Sequence, residues 1–165
     1  IMSSDWSSDV CSSDLIEQAL APAARVQTGD LRLAPVDFRR APEMLRRRQP
    51  LHDATRAAHA AGLWRPGAGL VLVREDVGRH NALDKLAGAA ARAGADIAGT
   101  AVVLTSRVSV DMVQKAAAMG AEAILAASAA TSLAVRMADA AGLTMIAGLK
   151  GGPTAPLTHP HRMTG

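Results

Sequence analysis

The densest group of reactive side chains is the run Arg74-Glu75-Asp76-Val77-Gly78-Arg79-His80-Asn81, with Asp84 and Lys85 one turn later. If a helix starts within this run, His80 and Asp84 share one of its faces, as do Asn81 and Lys85. Such a set can hold a polar ligand or trade protons. It can also simply cap a helix and form surface ion pairs, and the spacing admits both readings. Two further groups are Thr105-Ser106-Arg107 and Ser128-Ala129-Ala130-Thr131-Ser132, each lying between an apolar run and a helical pattern. Hydroxyls at a helix N-terminus either cap free backbone N–H groups or sit beside a bound phosphate, which the helix dipole also favours. Arg107 would add charge to such a site, and Leu149-Lys150-Gly151-Gly152 a cationic loop. Together these groups predict a phosphate or nucleotide pocket, with Asp76, His80, Asn81, Asp84 and Lys85 lining it or its copy across a dimer axis.

Positioning these groups calls for strands that end where the polar turns begin. Leu70–Val73 reads as a buried strand, reached through a hairpin at Pro66-Gly67-Ala68-Gly69 from an extended piece starting at Leu63. Strand and helix patterns then alternate. A helix is predicted over Asn81–Ala93, a strand over Thr100–Thr105 and a helix over Ser109–Met119, closed by Gly120. A strand over Ala123–Ala127, a helix over Thr131–Ala141 closed by Gly142, and a strand over Leu143–Ala147 follow. This order predicts βαβ units and a three-layer α/β/α fold around a mixed sheet. Open α/β sheets bind ligands beyond the carboxyl ends of their strands, where the three polar groups fall. Upstream, a short helix is expected over Leu15–Ala24, and a weak strand or turn within Val26–Ala34. A helix with Pro42 in its first turn comes next, then one over Leu51–Ala61 ended by Gly62. The chain after Gly148 reads as loop.

Composition narrows the function. The 165 residues carry a net charge of +3 and 49% hydrophobic residues, with only two Trp, one Phe and no Tyr. Without aromatic residues among the basic ones there is no platform for stacking bases, which argues against nucleic-acid binding. Between Arg32 and Arg65, eight arginines face three acids (Asp37, Glu43, Asp53), a solvated basic surface or one that meets an anion. No apolar run has the ~18–20 residues that a membrane span needs. One cysteine, Cys11, allows no internal disulfide and no multi-cysteine zinc site, and makes a reducing, cytoplasmic setting the expectation. Residues 1–14 repeat Ser-Ser-Asp three times without hydrophobic period and read as foreign to the remaining 15–165. They have no basic start or apolar stretch of a secretory leader.

Three blocks carry a family resemblance: EDVGRHNA with the following Asp84-Lys85, TSRVS with MVQKAA, and TSLAV with the later AAGLT. In this order and spacing the chain resembles the C-terminal half of the FdhD family, the formate dehydrogenase accessory sulfurtransferases. The resemblance implies a cytidine-deaminase-like fold and a homodimer. It also implies a sulfur carrier that takes sulfur from a cysteine desulfurase as a persulfide on a C-x-x-C loop. The sulfur would pass to the molybdenum (or tungsten) cofactor bearing two pterin guanine dinucleotides, bound as cargo before insertion into formate dehydrogenase. GDP would mimic that cargo. Aligned on Ile16-Glu17, Cys11 takes the place of the loop's second cysteine and Ser8 that of the persulfide-bearing first. Leu149-Lys150 stands near the family's aromatic-x-Arg contact, and Lys lacks the two-pronged guanidinium of Arg. Pro153–Leu157 departs from the family pattern and Thr158-His159-Pro160 returns to it. The alternative is a nucleotide-binding or deaminase-like enzyme on the same fold, using Asp76, His80 and Asp84 as acid and base groups. Stoichiometric zinc would favour it, although the sequence offers no deaminase-type zinc ligands.

A serine at position 8 cannot form a persulfide, and Asp9 and Asp14 disfavour a thiolate at Cys11. After incubation with a cysteine desulfurase and cysteine, mass spectrometry is therefore expected to show no added sulfur. A gain of one sulfur atom on Cys11 would overturn this reading.

Overall fold

The computed structural model describes residues 22–26, 29–151 and 155–164. Residues 1–14 with Ser8 and Cys11, most of the helix expected over Leu15–Ala24, and Gly152 lie outside the described residues. Helices α1 (Pro35–Arg46) and α2 (Pro50–Thr55) precede a hairpin of β1 (His59–Arg65) and β2 (Gly69–Asp76). Then follow α3 (Arg79–Arg92), β3 (Ala101–Leu104), α4 (Val110–Met119), β4 (Ala123–Ala126), α5 (Ser132–Ala141) and β5 (Thr144–Ile146). The sheet order is β2-β1-β3-β4-β5. β1 is antiparallel to both neighbours, whereas β3, β4 and β5 are parallel, so the sheet is mixed as expected.

Side-chain alternation along the strands divides the core between two faces. Val102, Leu104, Ile124 and Ala126 pack with residues of α3, α4 and α5 on one face. Ala101, Val103, Ala123 and Leu125 pack with Phe38, Ala41 and Leu45 of α1 on the other. The result is an α/β/α sandwich. β2, parallel in direction to β3, β4 and β5, ends at the same edge as they do.

Four expectations upstream of α3 need correction. α1 begins at Pro35, whose fixed φ suits a first helical position, and Asp37 accepts from the Ala34 N–H at 3.3 Å. Pro42 lies inside this helix, which stays whole because Phe38, Ala41 and Leu45 anchor it on the sheet. The helix expected over Leu51–Ala61 stops at Thr55, and Arg56 takes a left-handed φ of 55°. His59–Ala61 instead enter β1, where ladders on both sides outweigh the helix preference of alanine. Gly62 is no helix stop: it lies within β1, where a Cβ would fall 2.7 Å from Leu70 and 3.1 Å from Leu45. β2 is an edge strand, and of Leu70–Val73 only Leu70 is buried.

The tail has no α-helix or strand among the described residues, as expected, but it is docked on the domain. Thr158 Oγ1 accepts from the Met145 N–H at 2.9 Å and donates to the Leu143 carbonyl at 2.6 Å. Arg162 is 1% exposed, as is Glu122. The Glu122 carboxylate accepts from Arg162 Nε (3.4 Å), Gly99 N (2.7 Å) and Leu31 N (3.3 Å). Arg162 Nη1 donates to the Gly142 carbonyl (3.0 Å) and Thr144 Oγ1 (3.1 Å).

Removing one member of a buried ion pair strands the other, at about 3–5 kcal/mol. Arg162→Met is expected to lower the unfolding free energy in urea by about that much. A loss below about 1 kcal/mol would show that the pair is not structurally required.

Candidate functional site

Beyond the carboxyl ends of β3 and β4 lies a cavity of about 570 Å³, within the ~300–1,000 Å³ typical of ligand sites. α1 contributes Arg39, Glu43 and Arg46, and the chain around α2 contributes Gln49, His52 and Arg56. His59, Thr105, Ala127, Leu149 and Lys150 complete its floor and far wall. The segments are fixed by backbone bonds: Lys150 N donates to the Ala127 carbonyl (3.1 Å) and Thr105 N to the Ala60 carbonyl (3.2 Å). Ala60 N in turn donates to Thr105 Oγ1 at 2.9 Å. α2 is held from a distance by Glu75 of β2, whose carboxylate accepts from Leu51 N (2.9 Å) and His52 N (3.0 Å). This carboxylate caps a helix N-terminus, a favourable place for negative charge. His52 Nδ1 lies 2.8 Å from the Ala58 carbonyl, which can only accept, so Nδ1 carries the hydrogen.

The lining is cationic. Arg46 is paired with Asp53 at 2.7 Å, and Glu43 is paired with Arg47. Arg39, Arg56 and Lys150 make no side-chain hydrogen bond or ion pair among the described residues. Guanidinium groups with spare donors beside an open volume suit phosphate or carboxylate oxygens.

Of the residues singled out by sequence, Leu149 and Lys150 line this cavity, whereas Gly151 is exposed beside it. The others do not. Thr105 faces the cavity, so alternation turns Ser106 away: it is buried, donating to the Arg107 carbonyl at 3.1 Å and lying 3.8 Å from Met112 Sδ. Arg107 is exposed outside the lining. Thr131 Oγ1 accepts from Ala134 N at 3.2 Å, an ordinary N-cap, and Ser132 is exposed. Sequence reasoning missed Arg39, Arg46, His52, Arg56 and His59; the excess of arginine between Arg32 and Arg65 was their trace.

The run after β2 is placed on the opposite face. Asp76 pairs with Lys85 and accepts from Gly78 N (2.9 Å) and Asn81 Nδ2 (3.2 Å). His80 Nε2 lies 3.5 Å from both Asp111 and Ser109 Oγ, and Asp84 pairs with Lys115 at 2.7 Å. His80 and Asp84 therefore share a face of α3, as do Asn81 and Lys85, but the first two reach across to α4 and the second two to Asp76 at the end of β2. Asp84 and Lys115 border a separate, alanine-lined cavity of about 420 Å³. The Lys85 ammonium, then the Gly78 N–H and the Asn81 amide, hold the Asp76 carboxyl down at about 2. So acidic a group is a poor general base at neutral pH.

Because this carboxyl is more acidic folded than unfolded, its stabilising effect is complete above about pH 4 and fades as pH falls toward 2. Lys85→Met is expected to return Asp76 toward the ordinary carboxylate range in a carbon-detected NMR titration. An unmoved Asp76 titration would show that Lys85 is not the cause.

The family model for the FdhD/NarQ family matches residues 6–164, beginning inside the Ser-Ser-Asp segment and including Ser8 and Cys11. The sulfur carrier protein FdhD of Agrobacterium fabrum is 44% identical over 142 residues, covering 86% of this chain and 52% of that protein. Its counterpart in Brucella abortus is 57% identical over 99 residues, 60% of this chain and 37% of that one. The Cupriavidus necator protein is 44% identical over 154 residues, 93% and 53% of the two chains. The chain thus spans about half the length of these two longer-matching relatives. A crystal structure from Desulfotalea psychrophila, described as a formate dehydrogenase accessory protein, superposes with a TM-score of 0.78 at 30% identity. That match covers 90% of this chain and 62% of the other. With its sequence matched almost from end to end, and its fold by a solved accessory protein, the chain belongs to the FdhD/NarQ family.

Proposed function

We propose that this chain is the cargo-binding half of a sulfur carrier protein. In this reading it holds the molybdenum cofactor through the pyrophosphate and guanine groups of its two pterin guanine dinucleotides. Sulfur from a cysteine desulfurase reaches the cofactor there, before insertion into formate dehydrogenase. The donor enzyme, the dehydrogenase and a second copy of the chain are its partners, and the reducing cytoplasm is its setting.

The observation that carries the proposal is the cationic cavity at the strand ends, where Arg39, Arg56 and Lys150 line about 570 Å³ without anionic partners among the described residues. Each arginine can fork onto phosphate oxygens, and Lys150 adds a point charge. The relatives named as sulfur carriers and the solved accessory protein support the assignment of cargo. Sulfur loading is a separate matter. With Ser8 in place of a first cysteine, the chain is a binder of cargo and a poor carrier of persulfide.

Calorimetry with GDP tests this reading. GDP is expected to bind and guanosine to bind far more weakly. Arg39→Ala and Lys150→Ala should each cost about tenfold or more in affinity, as for the loss of a charge-assisted hydrogen bond. Arg107→Ala, outside the cavity, should change it less than about twofold. The absence of any GDP binding, or sensitivity to Arg107 but not to Arg39, would overturn the site.

A further inference from the structure

His59 opens β1 at the edge of the cavity, on the side of the ladder it shares with Asp76, and is half-buried there. Its imidazole makes no hydrogen bond among the described residues. Arg79 at the start of α3, His52 on α2 and Lys150 after β5 all act on it, and Arg39 and Arg56 share its cavity, where Arg46 is already paired with Asp53. Arg79 adds a second unsatisfied group, since its Nε is shielded from solvent without a hydrogen-bond partner. Negative charge near His59 is already committed. Glu43 pairs with Arg47, Glu75 caps α2, and Asp76, opposite His59 in the ladder, pairs with Lys85. In the empty cavity these surroundings disfavour the charged form of the imidazole. A phosphate placed among these cations reverses the balance, because it supplies the missing counter-charge at short range.

We propose that His59 is a proton-coupled ligand for the anion in this cavity: it takes a proton from solvent as the phosphate group enters, and donates a hydrogen bond to it. This inference rests on the proposed anion site and adds a residue and a pH dependence to it. Burial, then Arg79, His52 and Lys150, push the His59 imidazole below its ordinary 6.5, in keeping with a group waiting for an anion. The sign follows from linkage. Below the free-state value His59 is charged with or without ligand and affinity is highest. As pH rises from that value to the higher value of the complex, affinity falls; above both it levels off.

The measurement is an imidazole-detected NMR titration of the native chain with and without saturating GDP, alongside calorimetry in two buffers of different ionisation enthalpy. GDP is expected to raise the His59 titration midpoint by roughly one unit, worth about tenfold in affinity across the pH window. Proton uptake per GDP should be lower in His59→Gln than in the native chain, and the difference removes the contribution of GDP's own phosphate. His161→Gln, on the exposed tail outside the cavity lining, should retain the uptake. If GDP binds and the His59 midpoint does not move, the inference fails while the anion site stands. If GDP does not bind, the site itself fails.

Discussion

The buried Glu122–Arg162 pair is the constraint on which the rest of this structure depends. Both side chains are almost wholly removed from water, where an unpaired charge would cost far more than the fold could spare. Their remaining donors and acceptors are met by backbone from four directions: Leu31, Gly99, Gly142 and the side chain of Thr144. Glu122 also joins β3 and β5 through its own backbone, donating to the Thr100 carbonyl and accepting from Thr144 N. One pair therefore ties the chain at Leu31, the tail and the amino ends of three strands. Gly29 has no freedom to change, since a Cβ there would fall 1.9 Å from Glu122 Oε1.

With the amino ends of the strands locked, the carboxyl ends are left for chemistry. Here alternation along a strand decides which neighbour joins which layer. Glu75 turns to α2 and caps it, while Asp76, one residue on, turns to α3 and holds Asn81 and Lys85. Thr105 faces the cationic cavity and Ser106 packs beneath α4. Adjacent polar residues that look like one cluster in the sequence thus serve two faces of the sheet. Those on the α3 face compensate one another, whereas around the cavity Arg46 and Glu43 are paired and Arg39, Arg56 and Lys150 are without ion pairs among the described residues.

Electrostatics separates the two faces as well. Asp76 is surrounded by donors and held ionised, so Lys85 and Asn81 are used up in positioning α3. At the cavity, by contrast, the short helix α2 depends on Glu75, and its last turn delivers Arg56 in a left-handed conformation. A strained, lightly packed corner of this kind suits a ligand cradle better than a core, because a phosphate can bind its cations from the open side.

The sequence by itself determined the alternation of strands and helices from β2 onward. Apolar runs such as Ala101–Leu104 and Ala123–Ala126, broken by Gly120 and Gly142, admit little else. It also determined the family, through three polar blocks held at fixed spacing between those elements, and the helix faces that His80 shares with Asp84 and Asn81 with Lys85 on α3. Only the tertiary structure decided the rest. The alanine-rich stretch at His59–Ala61 became a central strand because two ladders were available to it, a contest that local propensity cannot see. Arg162 was driven inward by a carboxylate 40 residues away. The cavity, finally, draws its charge from α1, the chain around α2 and the turn after β5, which are distant in sequence and meet only where the strands end. Charge within one segment is legible as composition; convergence of several segments on one volume is a property of the packed chain.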